Sequence, residues 1–237
     1  MSKFGHLFLL PSDLGESSTS VIPGSSVVVA HRLTHYIAEN PKSTRAFLKR
    51  IAYPQALSTV TITTLDKDTP AAAIAGLLQP LLNGTDAALV SEAGCPAVAD
   101  PGALLVRAAH EAGIPVVPLV GPSAILLALM ASGLNGQRFA FHGYLPVDAA
   151  ARATRIRDLE HRSRREDATQ IFIETPYRND AMLQAVLEHG ADNTLLCVAA
   201  DLTQPGESIA TRTIAAWRKK PPALNKRPAV FLLYCRH

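Results

Sequence analysis

Short apolar runs rich in β-branched residues alternate along this chain with stretches of helical periodicity, and no other feature restricts the fold as much. The runs cover residues 6–10, 26–30, 60–64, 87–91, 116–119, 170–174, 195–199 and 230–234. Most read as strands buried on both faces. The helical stretches cover 42–51, 71–82, 101–112, 123–131, 149–165 and 176–188. Their ends are legible: Pro101 opens one and Gly113 follows it, the usual preference for proline in the first turn and glycine past the last. Strands alternating with helices predict an α/β fold of two α/β domains, with mainly parallel sheets covered by helices. Gly121 and Pro122 punctuate the chain before an apolar helix, so a boundary is expected there. Domains of residues 1–120 and 121–237 both have ordinary domain sizes.

Composition narrows the chemistry mainly by exclusion. A net charge of +3 at pH 7 favours an anionic partner but falls short of a dedicated nucleic-acid module. Cys95, Cys197 and Cys235 are far apart in sequence, which points to neither a disulfide framework nor a thiol metal knuckle. His31 and His35 stand four apart, but Arg32 sits where a zinc protease needs glutamate, so no metal site is expected. The Gly-rich dinucleotide fingerprint and the phosphate-binding P-loop are both missing, and Ser123 lacks the final glycine of a nucleophile elbow. The opening apolar run is too short for a signal segment, and no window reaches the roughly 18 apolar residues of a membrane span. A soluble, cytoplasmic chain with no membrane contact is therefore expected.

In open α/β sheets ligands bind beyond the carboxyl ends of strands. The run at 87–91 is followed by Glu92-Ala93-Gly94-Cys95-Pro96-Ala97-Val98-Ala99-Asp100-Pro101-Gly102. Such small residues let a backbone approach a ligand closely, and Glu92 and Asp100 offer anionic contacts. The plainer reading makes Asp100 the N-cap of the next helix, and Ser123 likewise a cap. Lys42, Arg45 and Lys49 share one helix face, and Arg152, Arg155, Arg157, Arg162, Arg164 and Arg165 crowd another helix. Both stripes read either as solvated faces or as phosphate contacts.

Three ordered segments then carry a resemblance: Ala88 to Gly102, Val116 to Ala124, and Arg138-Phe139-Ala140-Phe141-His142-Gly143-Tyr144-Leu145-Pro146. Together they resemble the ribosomal RNA small-subunit methyltransferases that methylate a cytidine ribose 2′-hydroxyl, a branch of the tetrapyrrole (corrin/porphyrin) methylase superfamily. The match is strongest over residues 86–146 and weaker over the rest. It implies a homodimer with the active site in the interdomain cleft, S-adenosylmethionine as methyl donor, and rRNA or the small ribosomal subunit as partner. By motif position it places Leu14, Glu92, Ala93, Gly94, Val98, Ser123, Ala124, Ile173, Glu174, Leu202, Pro228 and Ala229 around the donor.

The chain departs from that branch on the substrate side. Pro11-Ser12-Asp13-Leu14-Gly15-Glu16 replaces a Pro-x-Pro-Ile-Gly-Asn loop, Glu39-Asn40-Pro41-Lys42 replaces Glu-Asp-Thr-Arg, and Lys226-Arg227 stands where a Gly-Glu pair is usual. Glu39 and Asp13 are the candidate general bases, each with a plainer reading as a cap or surface carboxylate. Asn40, Lys42 and Arg45 are the candidate substrate contacts. Methylation of a tetrapyrrole or another small molecule, and a non-catalytic donor-binding protein associated with the ribosome, remain the alternatives.

Overall fold

The computed structural model describes residues 3–15 and 21–235, so Glu16 lies outside the described residues. The chain divides into two compact units, Met1–Ser123 and Ala124–His237.

In chain order the first unit holds β1 (Leu7–Leu10), α1 (Gly24–Arg32), β2 (His35–Ala38), α2 (Pro41–Arg50), β3 (Thr61–Thr64), α3 (Ala71–Leu77), α4 (Gln79–Leu82), β4 (Ala87–Val90), α5 (Gly102–Glu111) and β5 (Val116–Pro118). Its sheet runs β3-β2-β4-β1-β5 and every pairing is parallel. Parallel strands cannot be joined by tight turns, so each crossover carries structure of its own. That requirement overturns the strand reading of residues 26–30, which form α1 although Val27, Val28 and Val29 favour strands. Poor helix propensity costs only tenths of a kcal/mol per residue. Burying Ser26 and Ala30 while leaving Val28 68% exposed settles the matter. The helix expected over 71–82 is broken at Leu78, where Pro80 opens α4: proline supplies no N–H and its ring clashes with the carbonyl four residues back. One core layer gathers Phe8, Leu10, Tyr36, Phe47 and Leu48, the other Leu7, Ile37, Leu81, Leu89 and Leu105.

The second unit holds α6 (Ala124–Ser132), β6 (Phe139–Tyr144), α7 (Ala149–Glu166), β7 (Thr169–Ile173), α8 (Asn179–His189), β8 (Leu195–Ala200), β9 (Ser208–Thr213), α9 (Ile214–Lys219) and β10 (Ala229–Tyr234). Its sheet, β6-β7-β10-β8-β9, is mixed: only β6 and β7 run parallel, and β10 lies antiparallel to both β7 and β8. β8 and β9 are joined without a helix, a link that only an antiparallel pair permits. Phe172, Leu196, Val198, Phe231 and Leu233 bury one face against α7, α8 and α9, and the Phe172 and Phe231 rings stack at 5.5 Å. Each such side chain removed from water contributes roughly 1.5–3 kcal/mol. On the opposite face Thr211 donates to the Ser132 carbonyl at the end of α6. Glu160, on α7 among the arginines, is buried, its Oε1 accepting from the Ala191 amide and the Thr194 hydroxyl. No helix among the described residues is long and apolar enough to cross a membrane.

Candidate active site

Because the first sheet is parallel throughout, β3, β2, β4 and β1 all deliver their following loops to one end. Registers Ala38↔Val90 and Leu10↔Val90 set the exit points of β2, β4 and β1 side by side. Glu39 and Asn40 leave β2, Glu92 to Asp100 leave β4, and Pro11 to Leu14 leave β1. The β1 and β4 loops are stitched together: the Ser12 amide donates to the Gly94 carbonyl and the Gly94 amide to the Ser12 carbonyl. The Ser12 hydroxyl donates to the Ser91 carbonyl and the Ser91 hydroxyl to that of Gly94. Gly94 has φ +75°, and a Cβ there would lie 3.1 Å from Leu14 Cδ2 and 3.3 Å from the Pro122 carbonyl oxygen; the left-handed backbone and the close approach both call for glycine. Asp100 caps inward, accepting from the Ala97 and Gly102 amides. Burial nevertheless pushes its pKa up.

Asn40 has two tasks. Its Oδ1 accepts from the Lys42 and Ser43 amides as N-cap of α2, and its Nδ2 donates to Glu92 Oε1 at 3.1 Å. Glu39 is half-buried beside this link, and its pKa is raised by burial first and then by the charges of Glu92, Asp100 and Asp66. Asp13, the other candidate base, is buried, 3.4 Å from Arg50 Nε, and accepts from the Val21 amide. A carboxylate so engaged is a structural anchor, whereas Glu39 accepts no hydrogen bond and forms no ion pair among the described residues. Lys42 and Arg45 are exposed and pair with no carboxylate among the described residues. His31 and His35 fall on different elements, α1 and β2, and His31 Nε2 bonds the Ile51 carbonyl.

The second unit has its own row. Tyr144 pairs with Ile173, Ile173 with Val230, Val230 with Ala199, and Ala199 with Ile209. The exits of β6, β7 and β8 and the entrance of β10 therefore share one sheet end, which collects Ile173, Glu174, Leu202, Pro228 and Ala229. Glu174 is buried and holds Arg178 at 2.9 Å. Arg227 ties the loops down, giving Nε to Asp201 Oδ2 and Nη2 to the Gly206 carbonyl and Ser208 hydroxyl. The Lys226-Arg227 departure noted above is thus structural. Asp201 and Thr203 adopt left-handed backbones. Thr203 Oγ1 and Gln204 Nε2 are buried with no hydrogen-bond partner among the described residues. Sequence reading passed over both: the only signal was their place after a strand, ahead of Pro205-Gly206. Ser123 closes the first unit and Ala124 opens α6.

Residues 18–217 match the family model of the tetrapyrrole (corrin/porphyrin) methylases. The chain belongs to that family. These methylases draw their methyl group from S-adenosylmethionine. This methylase is 36% identical over 187 residues to "Ribosomal RNA small subunit methyltransferase I" of Xylella fastidiosa, covering 79% of this chain and 65% of that relative. It is 38% identical to the Vibrio cholerae protein of the same name over 161 residues, 67% of this chain and 54% of that protein. With the Buchnera aphidicola protein from the Acyrthosiphon pisum symbiont it shares 31% identity over 86% of this chain and 69% of that protein. The first two relatives are thus spanned for less than two thirds of their own length. Among solved structures, the methyltransferase CobJ superposes with TM-score 0.64 at 19% identity, covering 98% of this chain and 94% of that one. A cobalt precorrin-4 methyltransferase superposes at 0.60 and 13% identity, covering 97% and 94%. At such identities the likeness bears on the fold alone.

Proposed function

We propose that this methylase transfers the methyl group of S-adenosylmethionine to the ribose 2′-hydroxyl of a cytidine in small-subunit rRNA, in the cytoplasm and as a homodimer. The observation that carries this reading is the 36–38% identity to the first two rRNA methyltransferases above.

The residues present fit the donor. It supplies a methyl group on a sulfonium cation, together with an amine, a carboxylate, ribose hydroxyls and an adenine, and it carries no phosphate. Loops of small residues such as Glu92 to Gly102 suit it, and the lack of a phosphate fingerprint is expected. The unpartnered Thr203 hydroxyl and Gln204 amide offer the polar contacts that such a ligand would complete. Leu14, Glu92, Ala93, Gly94, Val98, Ser123 and Ala124 would complete the same site with Ile173, Glu174, Leu202, Pro228 and Ala229.

A neutral ribose hydroxyl is a weak nucleophile, and Glu39 is assigned to accept its proton as the oxygen attacks. The donor would supply the methyl group and, as a sulfonium, would be left as a neutral thioether; Glu39 would hold the acceptor oxygen's proton. Asn40 orients the adjoining Glu92, and Lys42 and Arg45 meet RNA phosphates.

The deciding experiment transfers labelled methyl to small ribosomal subunits and naked rRNA lacking the modification, with a uroporphyrinogen-type tetrapyrrole alongside. Label in RNA supports the reading. Label in the tetrapyrrole alone moves the assignment to small-molecule methylation, and label in neither leaves a donor-binding protein. A second expectation concerns Thr203→Val. It keeps the side-chain shape and removes an orphaned hydroxyl, so the ligand-free protein should melt no lower than the wild type. Donor affinity measured by calorimetry should fall by roughly five- to tenfold, the worth of about one hydrogen bond. An unchanged affinity removes Thr203 from the site.

A further inference from the structure

Two large aromatic side chains stand in water at one end of the second sheet. Tyr144 closes β6 and is 58% exposed; Tyr177, four residues beyond Ile173 of β7, is 78% exposed. Since Tyr144 pairs with Ile173, the two tyrosines follow neighbouring strand ends. Neither ring packs on another ring, and neither hydroxyl has a hydrogen-bond partner among the described residues. The backbone beneath each is fixed. Leu145 is buried just after Tyr144. Tyr177 sits in a turn, Pro176–Arg178, where the Pro176 carbonyl accepts from the Lys226 amide and Arg178 is held by Glu174. Val147, 71% exposed, extends the apolar surface.

The charge around the rings selects the partner. Arg152 and Arg155, on the first turns of α7, which follows β6, pair with no carboxylate among the described residues; Arg152 reaches the Val147 carbonyl and Arg155 the ring of His142 on β6. Residues 124–237 carry 15 Lys and Arg against 11 Asp and Glu, whereas residues 1–123 carry 8 against 9. Rigidly presented aromatic faces flanked by unpaired guanidinium groups are the combination on which unpaired nucleic-acid bases stack while cations follow the backbone.

We infer that Tyr144 and Tyr177 form a stacking platform for unpaired bases of a single-stranded RNA segment, with Arg152 and Arg155 on its phosphates. The inference rests on the RNA reading above and adds where the strand lies on the second unit.

The test is fluorescence anisotropy of the full chain with a fluorescein-labelled single-stranded RNA of roughly a dozen nucleotides, free or annealed to its complement. Tyr144→Ala and Tyr177→Ala should each weaken single-strand binding by roughly tenfold. Tyr144→Phe and Tyr177→Phe keep the ring and should bind as the wild type does. Arg152→Gln should instead lower the slope of log affinity against log salt by about one. Donor affinity should stay unchanged in every variant. Alanine variants that bind single strands normally overturn the platform. If they do so and yet methylate intact small subunits poorly, the tyrosines meet ribosomal protein instead. Equal losses for single strand and duplex also overturn it. A wild-type protein that binds the donor and no RNA ends both readings, whereas one that methylates rRNA indifferent to both tyrosines ends this inference alone.

Discussion

Glu39→Gln should lower the methyl-transfer rate by about 10²- to 10⁴-fold, the range that a positioned general base supplies. Burial and the carboxylates of Glu92, Asp100 and Asp66 favour the protonated form of Glu39. It therefore ionises at a higher pH than an ordinary glutamate. A base acts only when ionised, so the wild-type rate should rise with pH through that raised pKa and level off above it; the Gln variant should lose this limb. Stability runs the other way. The unfolded chain lacks these neighbours, so above the folded-state pKa the ionised carboxylate costs the folded state something that it does not cost the unfolded one. Below the unfolded value that cost vanishes. At neutral pH Glu39→Gln should consequently melt no lower than the wild type, which separates a chemical loss from a folding one. A variant that keeps the full rate, or one that unfolds, removes Glu39 from the role.

Gly121→Ala should destabilise the first unit through a single added methyl group. A Cβ at Gly121 would lie 2.3 Å from Pro11 Cβ and 2.7 Å from Pro11 Cγ. The Pro11 ring is tied to its own backbone and cannot rotate away. Overpacking of this kind costs about 1–3 kcal/mol. Relief requires moving the Pro11 loop, which is bound through Ser12 to Gly94, so donor affinity should fall together with the melting temperature. Gly76→Ala is the control: a Cβ there meets nothing within 4 Å, inside α3, and it should stabilise by roughly 0.5–1 kcal/mol. Equal behaviour of the two variants in thermal denaturation would remove the Pro11 contact as the cause.

Elements with a strong period and clear ends were legible in the sequence. Pro101 and Gly113 bracket α5 within a residue or two, and the apolar runs at 87–91 and 230–234 are β4 and β10. What escaped was settled by topology. Val27-Val28-Val29 has strand propensity, but a parallel sheet needs a crossover there. β2 begins at His35 and is only four residues long. β6 contains Gly143 at positive φ with a register shift beside it, and β9 is a polar edge strand. The mixed pairing of the second sheet followed from a seven-residue link between β8 and β9, which helix-strand alternation elsewhere obscured. The placement of the candidate loops was legible because parallel strands deliver the loops that follow them to one sheet end. The burial of Asp13 against Arg50 and the orphaned Thr203 hydroxyl were not, since both depend on long-range packing.

The place of β10 sets an order of events during synthesis. In the first unit the late strand β5 lies at an edge, so a growing chain can assemble that sheet once residue 118 has emerged. In the second unit the last strand made is the central one: β7 on one side and β8 on the other wait for residues 229–234. The first unit can thus be folded while the second, its aliphatic strands ready but unpaired, stays open until β10 inserts.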